Sequence, residues 1–127
     1  MKALIGVMPE EQIRKRMLAI AKGEHTPAAG EPKIWFTSVN AVAQVLSNEN
    51  IALLRQMDEQ RPETLTELAE LAGRQKSNLS VTLKTLAKYG FIRLEKNGRT
   101  VKPVVIFTDF DIRVSRDFLH EYNAAAA

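Results

Sequence analysis

The sequence predicts an α+β fold, mainly α, and three observations between Thr64 and Lys102 carry that expectation. The first is a short amphipathic helix from Thr64 to Ala72, with Leu65, Leu68, Ala69, Leu71 and Ala72 as its apolar set. Gly73 stops it, because glycine tolerates the left-handed conformation that commonly follows a helix end. The second is a longer helix from Gln75 to Gly90, in which Leu79, Leu83, Leu86 and Ala87 recur at the spacing of one buried stripe. The third is a pair of strand-like runs, Phe91 to Lys96 and Arg99 to Lys102, around Asn97-Gly98. Asn-Gly is the strongest short hairpin signal, because both turn positions need positive φ. Helix, tight turn, helix and basic hairpin, in that order, predict a winged helix-turn-helix.

Size and composition bound the rest. At 127 residues, with 45% apolar and 26% charged residues, the chain has room for one real core and perhaps an added arm. No apolar run approaches the roughly 20 residues that span a bilayer, and Met1 to Met8 is too weakly apolar for a signal peptide. Cysteine is absent, which removes disulfides, thiolate metal sites and thiol nucleophiles together and fits a cytoplasmic protein. The net charge of +3 is modest, but its distribution is not even. From Arg74 to Lys102 eight bases face the single acid Glu95, a local +7 that leaves −4 for the remainder. Such segregation points to an anionic partner, nucleic acid, rather than to a chance basic face.

Before the motif, Lys2 to Met8 reads as a short strand, and Pro9 and Glu10 suit a helix start. The helix from Glu10 to Lys22 puts Ile13, Met17 and Ile20 on one face, while Arg14, Lys15 and Arg16 cover the other. This helix needs a surface to bury against, and a second subunit is the expected one. Residues 24 to 33 hold His25, Pro27, Gly30 and Pro32 and read as a loop. Ile34-Trp35-Phe36 reads as a buried strand, Ser38 as the cap of one helix and Ser47 as the cap of the next, which Arg61-Pro62 breaks. After the hairpin, Val104 to Phe107 reads as a strand buried on both faces, with Pro103 at an edge. Asp109 to Asp111 reads as a turn and Ile112 to Val114 as a last short strand. The expected domains are an N-terminal dimerisation arm (1–33), a DNA-binding winged helix-turn-helix (34–114) and a tail (115–127) whose terminal alanines resemble a cloning remnant.

The candidate site follows from the outward face of the second motif helix. Gln75, Ser77, Asn78, Val81 and Thr85 are the groups that could touch base edges, and Lys76, Lys84 and Lys88 the cations that could hold phosphates. At the hairpin tip Lys96, Asn97 and Arg99 are placed to reach flanking backbone or a minor groove. An ordinary solvated helix face explains the lysines equally but leaves the absence of acids without a reason. Dimer contacts are assigned to Ile13, Met17, Ile20, Val105 and Phe107. Trp35 and Phe36 could stack on bases, though their hydrophobic strand favours core packing. His25 and His120 lack the local acid or thiol spacing of a metal site, and Asp109 and Asp111 lack that of a carboxylate pair. With no phosphate-binding glycine loop and no nucleophile elbow, neither an enzyme nor a cofactor is expected.

From Pro9 to about Val114 the chain resembles a small family of archaeal and bacterial predicted transcriptional regulators with a MarR/ArsR-like winged helix. The resemblance is carried by Glu31-Pro-Lys-Ile-Trp-Phe-Thr-Ser38, Ala43-Gln-Val-Leu-Ser-Asn-Glu-Asn50, Leu68-Ala-Glu-Leu-Ala-Gly-Arg74, Asn78-Leu-Ser80, Leu83-Lys-Thr-Leu86 and Tyr89-Gly90. It implies a homodimeric regulator of double-stranded DNA. It implies also an autorepressor or antitoxin role beside a toxin-like partner protein; the alternative it leaves is a module that neutralises that toxin, with DNA binding secondary. The chain departs from the pattern at Val81, where an arginine often follows the serine matching Ser80. Valine cannot grip guanine as arginine does, although it can pack on a thymine methyl.

Overall fold

The computed structural model describes residues 1–114. The expected tail, 115–127, with His120 and the terminal alanines, lies outside the described residues. Along them run β1 (Lys2–Val7), α1 (Glu10–Ala21), β2 (Ile34–Phe36), α2 (Val39–Val45), α3 (Asn48–Gln60), α4 (Leu65–Ala72), α5 (Lys76–Lys88), β3 (Ile92–Asn97), β4 (Thr100–Val105) and β5 (Asp109–Val114). Five helices with short strands make the described chain α+β and mainly helical. It divides into two compact units, Met1–Ala3 with Gln44–Asp109, and Leu4–Ala43 with residues 110–114.

In the first unit α3 packs on α4 and β4, α4 on α5 and β4, and α5 on β3. Ser47 starts α3 by accepting the Asn50 N–H (3.2 Å), and Leu53, Leu54 and Met57 bury its inner face. Thr64 starts α4 by accepting the Glu67 N–H (3.1 Å), while the Glu67 carboxylate accepts the Glu63 N–H (3.3 Å). This reciprocal pair satisfies donors that the first turn otherwise leaves open. Gly73 ends α4 at φ +66°, and the Arg74 N–H bonds back to the Ala69 carbonyl (3.1 Å), so α5 begins after only three residues. Leu79, Leu83 and Leu86 line the buried side of α5, as the spacing predicts, and Leu68, Phe91 and Ile92 are buried with them.

The hairpin differs from expectation by one residue. Asn97 pairs with Thr100, so the two turn residues are Gly98 and Arg99, not Asn97 and Gly98. Only Gly98 has positive φ (+64°), which suits a turn with glycine at its first central position rather than the Asn-Gly type. The following strand is also less buried than expected. Pro103 is buried, but Val104 and Val105 are only partly so, and Ile106 and Phe107, also half-buried, lie beyond the end of β4 and not within a strand as expected.

In the second unit β1 is central in a sheet of order β2-β1-β5, and it pairs in parallel with β2 through Ile5↔Ile34, Gly6↔Trp35 and Val7↔Phe36. The strand Ile34–Phe36, expected within the DNA-binding domain, therefore belongs with the N-terminal strand. Asp109 to Asp111, expected as a turn, is the start of β5. The Trp35 indole lies flat over Gly6, where a Cβ would stand 2.2 Å from the ring, so only glycine admits this register. Glu10 and Glu11 occupy the first turn of α1 where the macrodipole favours acids. The inner face of α1 is not the one that the apolar spacing implies. Arg16 is its one buried residue and Met17 is 64% exposed. The Arg16 guanidinium lies 5.1 Å from the Trp35 ring centroid and donates from Nε to Glu31 (3.2 Å). Stacking and a buried carboxylate thus draw in a cation that the helical pattern assigns to solvent.

Candidate nucleic-acid interface

At about 100° per residue, Ser77, Val81, Lys84 and Lys88 fall within one narrow strip of α5, directly opposite Leu79, Leu83 and Leu86. All four are exposed, Val81 by 66%. Gln75, Lys76 and Asn78 are exposed at the N-terminal end of the same helix. Thr85 is half-buried, and its hydroxyl donates to the Val81 carbonyl (3.2 Å), which turns it toward its own helix and away from a ligand. Lys96, Asn97 and Arg99 are exposed at the hairpin tip, where the Thr100 hydroxyl braces the turn by donating to the Asn97 carbonyl (2.8 Å).

Helix and hairpin meet at a shallow notch lined by Thr64, Leu65 and Thr66 of the α4 start, Lys76 of α5, and Arg99, Thr100 and Val101 of the hairpin. Lys76 and Arg99, 23 residues apart in sequence, thus stand on the walls of one concavity. Thr66, exposed in the first turn of α4, is a hydroxyl that the sequence reading did not single out. Its position in the first turn of the helix that precedes the exposed one is the signal that could have found it.

The cations of this segment do different work. The Arg74 guanidinium donates to Asn50 Oδ1 (3.3 Å) and to the Glu49 carbonyl (3.0 Å), tying α3 to the α4–α5 turn. Arg93 pairs with Glu95 (3.1 Å) and Lys102 with Glu63 (3.5 Å). Lys76, Lys84, Lys88, Lys96 and Arg99 make no ion pair among the described residues and are all exposed. The local surplus of +7 therefore overstates the available charge, which sits on these five. The start of α5 is unusual beside its neighbours. Gln75 makes no side-chain cap bond and no acid lies in the first turn, so Lys76 occupies the position where the macrodipole disfavours a cation.

The residues assigned to dimer contacts are divided between the two units. Ile13 packs on Met8 beside Trp35, Met17 is exposed and Ile20 half-buried, all in the second unit. Val105 and Phe107, both half-buried, belong to the first. Among the described residues no cluster of three or more metal-binding side chains occurs, and no helix is long and apolar enough to cross a membrane.

Comparison with the curated proteins finds no match. Among solved structures the chain is similar to the AntR antimony-specific transcriptional repressor, at 19% identity and a TM-score of 0.47, over 69% of this chain and 73% of that one. A family model, HVO_A0114, matches residues 45–112, the stretch from the end of α2 through most of β5. That is more than half of the sequence, and the chain belongs to the HVO_A0114 family.

Proposed function

We propose that α4, α5 and the β3–β4 hairpin form a winged helix-turn-helix that binds double-stranded DNA sequence-specifically, as a homodimeric transcription regulator without catalysis or cofactor. α5 enters the major groove. Ser77, Asn78 and Val81 meet base edges there, Gln75 reads from its N-terminal end, and Lys84 and Lys88 hold the phosphates on either side. Lys76, Arg99 and Thr66 close on one phosphate at the notch, and Lys96 with Asn97 extends the contact along the backbone. Thr85 supports this face without reading it. The observation that carries the reading is the notch, where two sequence-distant cations meet at the head of an acid-free helix face. The resemblance described above adds the narrower role of autorepressor or antitoxin, with a toxin-like protein as second partner.

Selection of bound duplexes from a random pool tests this reading. The expected product is an inverted repeat whose half-sites lie one helical turn apart, about 10 base pairs, as a two-fold dimer requires. Recovery of no common sequence, or of single strands in preference to duplex, would contradict it.

A further inference from the structure

The first turn of α5 presents polar groups and its second half cations, but its midpoint presents carbon. Val81 follows Ser77 and Asn78 by one turn and precedes Lys84 and Thr85 by one turn, so these residues surround it on the helix surface. It is 66% exposed and lies opposite the buried stripe of Leu79, Leu83 and Leu86. Scattered exposed apolar side chains are normal on a protein surface. Val81 differs in its setting, the centre of a strip that carries Lys84 and Lys88 on a helix without acids. A valine there gains nothing for the helix itself, since β-branching lowers helix propensity.

The neighbouring threonines add no polar group to the midpoint. Thr82 donates its hydroxyl to the Asn78 carbonyl (3.3 Å) and Thr85 donates its own to the Val81 carbonyl (3.2 Å), so both are engaged by their own helix. A base edge opposite Val81 therefore meets an isopropyl group that offers neither donor nor acceptor. Of the features that bases present in the major groove, only the C5-methyl of thymine is apolar. A cytosine methylated at C5 carries the same group at the same place. A second copy of the chain does not suit this patch. An isologous contact would press two copies of the same cationic face together, whereas a polyanion complements each.

With α5 as the groove helix of the reading above, on which this step rests, we infer that Val81 recognises a C5-methyl group in each half-site of the duplex. Thymine supplies it in unmodified DNA and 5-methylcytosine supplies it equally, so affinity responds to C5 methylation of the site. Val81 registers contact area alone, and does not separate the exocyclic oxygen of thymine from the amino group of 5-methylcytosine. Burial of one methyl group against it should be worth about fourfold in affinity per half-site. Gln75, Ser77 and Asn78, toward the start of the helix, supply the hydrogen bonds that read the neighbouring base pairs.

Fluorescence anisotropy of the full chain on a selected duplex tests this. Each thymine of one half-site is replaced in turn by uracil, which pairs identically and lacks only the methyl, and one position should lose about fourfold. At that position a 5-methylcytosine·guanine pair should bind about fourfold more tightly than cytosine·guanine, the same increment in a different base pair. Val81→Ser should bind methylated and unmethylated duplexes alike, and Val81→Ile should keep both increments. Because Val81 is exposed, urea melts of both variants should match the wild type. Uracil tolerated at every position, selected half-sites without thymine, an increment for thymine but none for 5-methylcytosine, or increments that survive in Val81→Ser would each overturn this assignment. Duplex affinity would meanwhile uphold α5 as the groove helix. A wild-type chain with no duplex affinity would overturn both.

Discussion

The chain carrying Lys76→Glu together with Lys84→Glu is expected to lose at least about 100-fold in duplex affinity at 0.1 M salt while folding as well as the wild type. Each change removes a phosphate contact and sets a carboxylate against the polyanion, and a dimer repeats the loss in both subunits. Both lysines are exposed and make no ion pair among the described residues, so no internal contact is broken. Lys76 stands in the first turn of α5, where an acid is favoured by the helix dipole, so its replacement should leave the helix unharmed or slightly firmer. Fluorescence anisotropy with a selected duplex, beside a urea melt of each protein, separates binding from folding. Affinity within threefold of wild type would place the contact surface elsewhere.

The second large effect lies in the N-terminal unit. Glu31→Ala should destabilise the protein by about 3–5 kcal/mol, the range for removing one partner of a buried pair. The two side chains are 8% and 10% exposed, so water screens the interaction little. The carboxylate also accepts the Ala28 N–H (3.0 Å), and His25 Nε2 lies 3.1 and 3.2 Å from its two oxygens, which requires the proton on that nitrogen. Glu31 therefore anchors the loop of residues 24 to 33 to α1, and without it the Arg16 guanidinium, buried against Trp35, loses its carboxylate partner at 3.2 Å. Replacing both partners, Arg16→Met with Glu31→Leu, should recover most of the loss because no charge then remains inside. Urea denaturation of the three variants measures this, and a Glu31→Ala midpoint equal to wild type would contradict it.

These two predictions also mark where sequence was legible. The leucine stripe of α5, the glycine after α4 and the hairpin signal are local features, each written within a few residues, and they put the exposed face of α5 where the structure has it and the hairpin turn within one residue of its place. What was not legible depends on distant partners. Arg16 reads as a solvent cation until Trp35 and Glu31, 19 and 15 residues away, come to it. Arg74 and Lys102 count as available charge until Asn50 and Glu63 engage them. Asp109 to Asp111 reads as a turn because aspartates are common there, yet β1 supplies a neighbour and the segment extends as a strand. The turn shifted by one residue for a similar reason: cross-strand pairing of Asn97 with Thr100 outweighs the local Asn-Gly preference.

The salt dependence of duplex binding by the wild-type chain tests the central claim most directly. With three to five of the available cations on phosphates in each subunit, the slope of log affinity against log salt should fall between about −5 and −9 for the dimer, and should become shallower in the Lys76→Glu, Lys84→Glu variant. A slope near zero would contradict the account, because the cationic face of α5 and its hairpin would then be touching no nucleic-acid backbone.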